Sequence, residues 1–143
     1  MDQNLFKVKG TYVNGEWFNE SKTYEVFNPS NNSVLAKIPI SSPEELELAV
    51  QSASKAQREW SKVSIVKRAD LILKLCSRIE DRTEEFALMD TYNAGNAITF
   101  ARKDVLQAVA NMKYFAGLVR EVKGETFSME PKHLNFSRQQ PYG

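Results

Sequence analysis

The chain has 143 residues, of which 42% are hydrophobic and 26% are charged, and its formal net charge is +1 at pH 7. These values are typical of one globular domain, and the near-zero charge gives no electrostatic reason to expect nucleic acid or an anionic membrane as a partner. No run reaches the roughly 20 apolar residues of a membrane span, and the N-terminus lacks the layout of a signal peptide. The single cysteine rules out an internal disulfide, which favours a cytoplasmic location.

The N-terminal region is predicted to form strands. Asn14-Gly15 stands between "TYV" and "EWF", and this pair favours a two-residue hairpin turn because both residues tolerate positive φ. "TYEVF" reads as a strand that Asn28-Pro29 ends, and "VLAKIPI" as another, in which Pro39 marks an edge or an end.

The hydrophobic period changes to that of a helix at "SSPEELELAV". Ser42 is predicted to cap this first helix, with Pro43 in its first turn and Glu45 completing a capping box. The helix is expected to run to about Trp60. One apolar stripe is predicted on it, formed by Leu46, Ala49, Val50, Ala53 and Ala56.

Three further helices are predicted. The second carries a stripe of Ile65, Ala69, Ile72, Leu73, Cys76 and Ile79. The third is expected to be capped by Thr83 and stopped by Gly95. The fourth is predicted over residues 97–122, before Gly124. Its stripe is Val105, Ala108, Val109, Met112, Phe115, Ala116 and Val119.

The last segment alternates apolar and polar residues, which predicts a strand over residues 133–140. With no hairpin after it, this strand would have an unpaired edge. The fold class expected from the whole pattern is α+β: an N-terminal hairpin with further strands, four helices and a C-terminal extended strand.

Residues able to carry catalysis are scarce. Cys76 lies in the apolar stripe of its helix and is interpreted as a structural cysteine, and His133, the only histidine, as a surface or interface residue. The six glycines form neither common phosphate-binding loop, and no metal-ligand cluster is evident. The sequence therefore offers no catalytic residue and no cofactor-binding residue.

Seven motifs, in this order, resemble the N-terminal portion of the NAD(P)-dependent aldehyde dehydrogenase superfamily. They are "YVNGEWF", "FNPSNNSVLAKIP", "EELELAVQSASKAQREWSK", "KRADLILKLCSRIEDRTEEFALMDTYNAG", "ARKDV", "KYFAG" and "RQQPYG". The resemblance covers nearly the whole chain, so the α+β segment is expected to be part of the larger α/β aldehyde dehydrogenase fold.

The resemblance implies two parts. Residues 1–124 correspond to the N-terminal part of the cofactor-binding domain, and residues 125–143 to the first strand of an oligomerisation element. Gly143 is then expected to be a truncation point, because the family's sequence continues into its dinucleotide-binding region.

The resemblance also implies the chemistry of the parent protein. Family members oxidise an aldehyde to a carboxylic acid with a thiolate nucleophile and NAD or NADP, and they form homo-oligomers. Their catalytic residues and cofactor loops lie beyond this chain, and Cys76 matches none of them. The chain alone is expected to be inactive and to bind no cofactor.

A structural monovalent-cation site is implied by the same resemblance. Its positions correspond to Asn93 and to the backbone of Val26 and Phe27. The family often has Asp where this chain has Asn93, and a neutral amide holds a cation less strongly. The alternative is that Asn93 simply ends a helix.

Two residues around "ARKDV" correspond to the mouth of the family's substrate tunnel. They are Lys103 and Gln107, which would suit a short polar or anionic aldehyde. The alternative is that both side chains are solvated on the outer face of their helix.

A different hypothesis is a naturally short, non-catalytic interaction or oligomerisation module. It would use the open strand edge of residues 134–140 to pair with another chain. Under either hypothesis, apolar stripes without a covering domain are expected to cause association or low solubility.

Overall fold

Two antiparallel hairpins form the N-terminal part of the chain. The computed structural model describes residues 5–18 and 22–142, so Gly143, the expected truncation point, lies outside the described residues. Strand β1 (Thr11–Val13) pairs with β2 (Glu16–Phe18), and β3 (Thr23–Phe27) pairs with β4 (Val34–Pro39). Asn14 and Gly15 have φ of 52° and 88°, which confirms the predicted turn.

The connection between β3 and β4 is organised by Asn28. Its side-chain Oδ1 accepts the amide of Ser30 at 2.9 Å, while its backbone amide donates to the carbonyl of Ser33 at 2.8 Å. Its carbonyl accepts the amide of Asn32, whose φ is 56°. Asn28 is buried, and these bonds satisfy polar groups that would otherwise be costly away from water.

Helix α1 (Pro43–Trp60) begins as predicted. The Ser42 hydroxyl accepts the amide of Glu45, and the Glu45 carboxylate accepts the amide of Ser42, so the capping box is complete. The predicted stripe is a different matter: only Ala49 is even half-buried, and the other four residues are exposed. The helix has the expected boundaries but does not pack on the expected face.

Helices α2 (Ile65–Glu80), α3 (Thr83–Ala94) and α4 (Ile98–Gly117) pack together, with α4 against both of the others. Small side chains dominate the contact, which lets the backbones approach closely. The buried residues are Ala69, Cys76, Ala87, Ala101, Val109 and Ala116. The stripe predicted for α2 is confirmed at Ala69 and Cys76, which are buried, whereas Ile65 is 44% and Leu73 41% exposed.

Two ion pairs tie α4 to its neighbours. Arg102 donates two hydrogen bonds to the Glu84 carboxylate on α3, both at 2.7 Å, and Lys113 lies 2.7 Å from Glu80 on α2. The hydrogen bonds from Arg102 lower the pKa of Glu84 below its ordinary value of 4.5. These contacts connect residues 18 and 33 positions apart, and so fix the helices relative to one another.

The predicted start of α3 is wrong in one respect. Arg82 occupies the N-cap position, and no side chain caps the helix there. Thr83 is instead the first helical residue, and its hydroxyl donates to the carbonyl of Glu80 at 2.7 Å. The predicted end is confirmed, because Gly95 adopts φ of 79° as the C-cap.

Helix α4 is shorter than the predicted range of 97–122. It ends at Gly117 and continues as one 3₁₀ turn, Leu118–Arg120. A 3₁₀ turn is a common way to tighten a helix end and use its last carbonyls. Within the predicted stripe, Val109 and Ala116 are buried, but Ala108 and Phe115 are exposed.

The predicted lone C-terminal strand is also corrected. Only β6 (Asn135–Phe136) is extended in a ladder, and it pairs antiparallel with β5 (Thr126–Phe127). Ser137 closes this hairpin: its amide donates to the carbonyl of Glu125 at 2.8 Å, and its hydroxyl accepts the Glu125 amide at 2.9 Å. A Cβ at Gly124 would collide with the Ser137 carbonyl, so this position requires glycine. A turn follows β5 and leads the chain to β6. The strand that pairs with β6 is therefore β5, which lies before it in the sequence and not after it.

Within residues 5–18 and 22–142 the structure has four α-helices and several short strands, so the fold class is α+β, as predicted. The chain exposes 11651 Å² of surface. A compact monomer of the same mass exposes roughly 7,500 Å² by the usual scaling of surface with mass. The elements are therefore well formed, but much of their surface is not packed against the rest of the chain.

Candidate functional site

A cleft lies between the N-terminal segment, the β3–β4 hairpin and α3. Its volume is about 350 Å³, and its wall is mainly apolar. Leu5, Phe6 and Val8 come from the N-terminal segment, Val26, Leu35, Ala36 and Ile38 from the hairpin, and Met89 from α3. The polar lining side chains are Lys7, Asp90 and Asn93.

Two of the three predicted cation-site residues line this cleft. Val26 contributes from β3 and Asn93 from the last turn of α3, 67 positions apart in the sequence. Phe27 follows Val26 directly, but it is not part of the cleft wall, and it is 44% exposed. The β3–β4 register shifts between Val26 and Phe27, so the ladder is interrupted at the backbone that the prediction named. Such a bulge turns backbone groups away from regular pairing.

Asp90 is a cleft residue that the sequence prediction missed. It precedes Asn93 by three positions, so both side chains lie on the same face of α3. Its Oδ2 accepts a hydrogen bond from Asn96 Nδ2 at 2.8 Å, which holds the carboxylate in place. The three-residue spacing of Asp90 and Asn93 could have indicated from the sequence that the two side chains share a helix face. The cleft thus has a carboxylate, whereas Asn93 alone supplies a neutral amide.

Lys103 and Gln107 lie elsewhere, one turn apart on the exposed surface of α4. Lys103 Nζ lies 5.8 Å from the ring centroid of Phe100, a cation–π contact. Gln107 Nε2 donates to Asn111 Oδ1 at 3.0 Å. The two side chains share a solvent-facing stretch of the helix, and the structure does not bring them to the cleft.

The structure agrees with the interpretation of Cys76 as a structural cysteine and of His133 as a surface residue. Cys76 is completely buried between α2 and its neighbours. His133 is exposed, with Nδ1 3.2 Å from a Glu130 carboxylate oxygen. Within residues 5–18 and 22–142, no group of three or more His, Cys, Asp or Glu side chains is placed to hold a metal ion. Nor does any helix in that part of the chain have the length and apolar content needed to cross a membrane.

Comparison with known proteins finds members of one family both by sequence and by structure. The profile of the aldehyde dehydrogenase family matches residues 17–143. An aldehyde dehydrogenase-like protein of Schizosaccharomyces pombe is 30% identical over 135 residues, which are 94% of this chain and 27% of the yeast protein.

Solved structures agree in fold. Aldehyde dehydrogenase from Bacillus cereus superposes with a TM-score of 0.88 at 30% identity, covering 94% of this chain and 28% of that one. PnpE, solved in complex with nicotinamide adenine dinucleotide, gives 0.84 at 28% identity, covering 90% and 27%. The chain thus spans little more than a quarter of the length of these relatives, and corresponds to their N-terminal part. It belongs to the aldehyde dehydrogenase family.

Proposed function

We propose that this chain is the N-terminal portion of an NAD(P)-dependent aldehyde dehydrogenase that oxidises an aldehyde to a carboxylic acid. The observation that carries the proposal is the family match over residues 17–143, combined with coverage of only 27–28% of the relatives' length. The large unpacked surface of the chain agrees with a segment that belongs to a larger fold.

In this proposal the cofactor, NAD or NADP, is held by parts of the longer protein. The chain by itself is expected to bind no dinucleotide, because its six glycines form neither common phosphate-binding loop. Residues 1–124 would belong to the cofactor-binding domain and residues 125–143 to an oligomerisation element of a cytoplasmic homo-oligomer.

The cleft is the proposed position of the monovalent cation. The backbone at Val26 and Phe27 lies at the bulge, and Asn93 supplies an amide oxygen nearby. Asp90 adds the negative charge that favours a cation, although Lys7 in the same wall opposes it.

Lys103 and Gln107 are the proposed contacts for substrate in the longer protein. Both are exposed on α4. Neither takes part in the two ion pairs that join α4 to α2 and α3. A lysine beside an amide would pair with a short aldehyde carrying a carboxylate or another polar group.

The intact mass of the protein as its source produces it is the test of this proposal. A mass several-fold above 16.3 kDa supports it, and the longer protein should then reduce NAD or NADP when given aldehydes. The purified 143-residue chain should produce no NADH under the same conditions. A source protein of 16.3 kDa, or NADH production by the short chain, would refute the proposal.

The second candidate function is a naturally short interaction module. The observation that favours it is the exposure of apolar side chains on the C-terminal hairpin, where Leu134 is 76% and Phe136 67% exposed. Size-exclusion chromatography of a source protein of this length would distinguish the two: a stable complex supports the module, and a monomer argues against it.

A further inference from the structure

Two oppositely charged side chains line the cleft between the N-terminal segment, the β3–β4 hairpin and α3. Lys7 comes from the N-terminal segment and Asp90 from α3, and most of the remaining wall is apolar. Beside apolar side chains the effective dielectric constant is lower than in bulk water, so charges attract or repel one another more strongly. These two groups therefore govern which ions the cleft attracts.

Asp90 is held in place and still has its charge available. The residue is half-buried, and its Oδ2 accepts the hydrogen bond from Asn96 Nδ2 at 2.8 Å. Within residues 5–18 and 22–142, no ion pair joins its carboxylate to a basic side chain. A carboxylate has about four acceptor positions on its two oxygens, so one amide donor leaves room for a cation.

Lys7 is anchored beside the same helix. The residue before it, Phe6, packs edge-on against Tyr92, with the ring centroids 5.9 Å apart. Tyr92 lies two positions after Asp90 and directly before Asn93. The ring contact holds the N-terminal segment on α3, so the flexible Lys7 side chain starts from a fixed point on the cleft wall. No carboxylate in the described part of the chain forms an ion pair with Lys7.

We propose that the Lys7 ammonium competes with a free monovalent cation for the negative charge of Asp90. Asn93 contributes only a neutral amide, so Asp90 is the single carboxylate among the described residues of the cleft wall, and it balances one positive charge. A sodium or potassium ion must then displace the lysine, which weakens its binding. The inference rests on the cation position proposed above, and it adds what controls the occupation of that position.

The melting temperature of the natural protein in two salts tests the competition. Potassium chloride is compared with N-methylglucamine chloride at equal ionic strength, so that screening is the same and only the small cation differs. A cation that binds the folded state alone raises the melting temperature. The parent protein should melt at nearly the same temperature in both salts. Lys7→Met should melt a few degrees lower in N-methylglucamine, and potassium should restore the loss.

Two further variants are the controls. Lys22→Met makes the same change in net charge outside the cleft wall and should respond to potassium as the parent does. Lys7→Met combined with Asp90→Asn should lose the potassium dependence. Equal potassium responses of the parent and Lys7→Met would overturn the proposal. So would a response that Lys22→Met reproduces, or one that survives Asp90→Asn.

Sodium-23 NMR measures binding directly. The linewidth of the sodium signal, titrated with each protein, should show several-fold tighter binding to Lys7→Met than to the parent. Unchanged or weaker binding to Lys7→Met would contradict the competition, because removal of the competing charge should favour the ion.

The outcomes separate this inference from the proposed function. All the substituted residues lie within the 143-residue chain, so the test applies to a source protein of any length. A source protein of 16.3 kDa refutes the proposed function and leaves the competition to be decided by the two salts. A longer aldehyde dehydrogenase in which Lys7→Met leaves the potassium response unchanged refutes only the competition.

Discussion

Gly95 shows how one residue can fix both a helix end and a tertiary contact. It ends α3 with φ of 79°, a left-handed conformation that residues with a side chain adopt only with strain. A Cβ at this position would lie 3.1 Å from Pro29 Cγ, in the loop after β3. A side chain at this position would press on Pro29, so the loop would have to move by a few tenths of an ångström to admit it.

We expect Gly95→Ala to destabilise the chain by about 1–2 kcal/mol, from left-handed strain plus the contact with Pro29. Urea unfolding followed by circular dichroism measures the change. Gly117→Ala is the matched control, because a Cβ there meets no atom within 4 Å and helical alanine is favoured over glycine. The expectation is wrong if Gly95→Ala is as stable as the parent chain.

At the scale of elements, the ion pair between Glu84 on α3 and Arg102 on α4 makes a contribution to stability that depends on pH. Hydrogen bonds from Arg102 lower the pKa of Glu84 in the folded chain below 4.5, its ordinary value. Because the pKa of Glu84 is lower in the folded chain than in the unfolded chain, the charged pair stabilises the fold at pH values above 4.5. The stabilisation is lost as pH falls below 4.5, because the carboxylate must then be protonated.

Glu84→Gln should thus lower the melting temperature slightly at neutral pH, because the pair is exposed and screened by solvent. The difference from the parent chain should vanish as pH is lowered through and below 4.5. Melting curves of both chains across this range give the result, with Glu47→Gln on α1 as a control outside the α3–α4 contact. A difference that does not change with pH would show that the charge of Glu84 is not responsible.

The elements also show what local sequence can and cannot predict. The Asn14-Gly15 turn, the Ser42 capping box and the Gly95 stop were predictable, because each involves neighbouring residues only. The β5–β6 pair was not, since it depends on contacts between distant residues such as Gly124 against Ser137. The end of α4 at Gly117 was also missed. A helical period was correctly predicted for the apolar residues of α1, but a period does not say whether another part of the fold covers them.

The candidate site follows the same division. The convergence of Val26 and Asn93 on one cleft could be expected only from the family resemblance, because the two residues come from distant elements. Asp90 was within reach of the sequence, one turn before Asn93, but helical spacing alone does not show that this face of α3 meets a hairpin.

For the whole molecule, the amount of exposed surface governs behaviour. The chain exposes 11651 Å², about half as much again as expected for a compact monomer of its mass. Large apolar side chains contribute to this surface on α1, α4 and the C-terminal hairpin, among them Leu46, Phe100, Phe115 and Phe136. Such surface favours association in water.

We therefore expect the isolated 143-residue chain to form concentration-dependent oligomers or to have low solubility. Size-exclusion chromatography with light scattering over a range of protein concentrations measures this. The joint substitution Leu46→Gln with Phe115→Gln should shift the distribution towards monomer, because both side chains are exposed. A monomeric parent chain with a sharp, concentration-independent melt would contradict the expectation.

The complete burial of Cys76 has a practical consequence. Its thiol, the only one in the chain, faces the packing between α2 and its neighbours, where a reagent in solution cannot reach it. Modification by a thiol reagent must then wait for these helices to separate. The protein thus carries a natural kinetic probe of its own opening, placed in the part of the segment that is best packed.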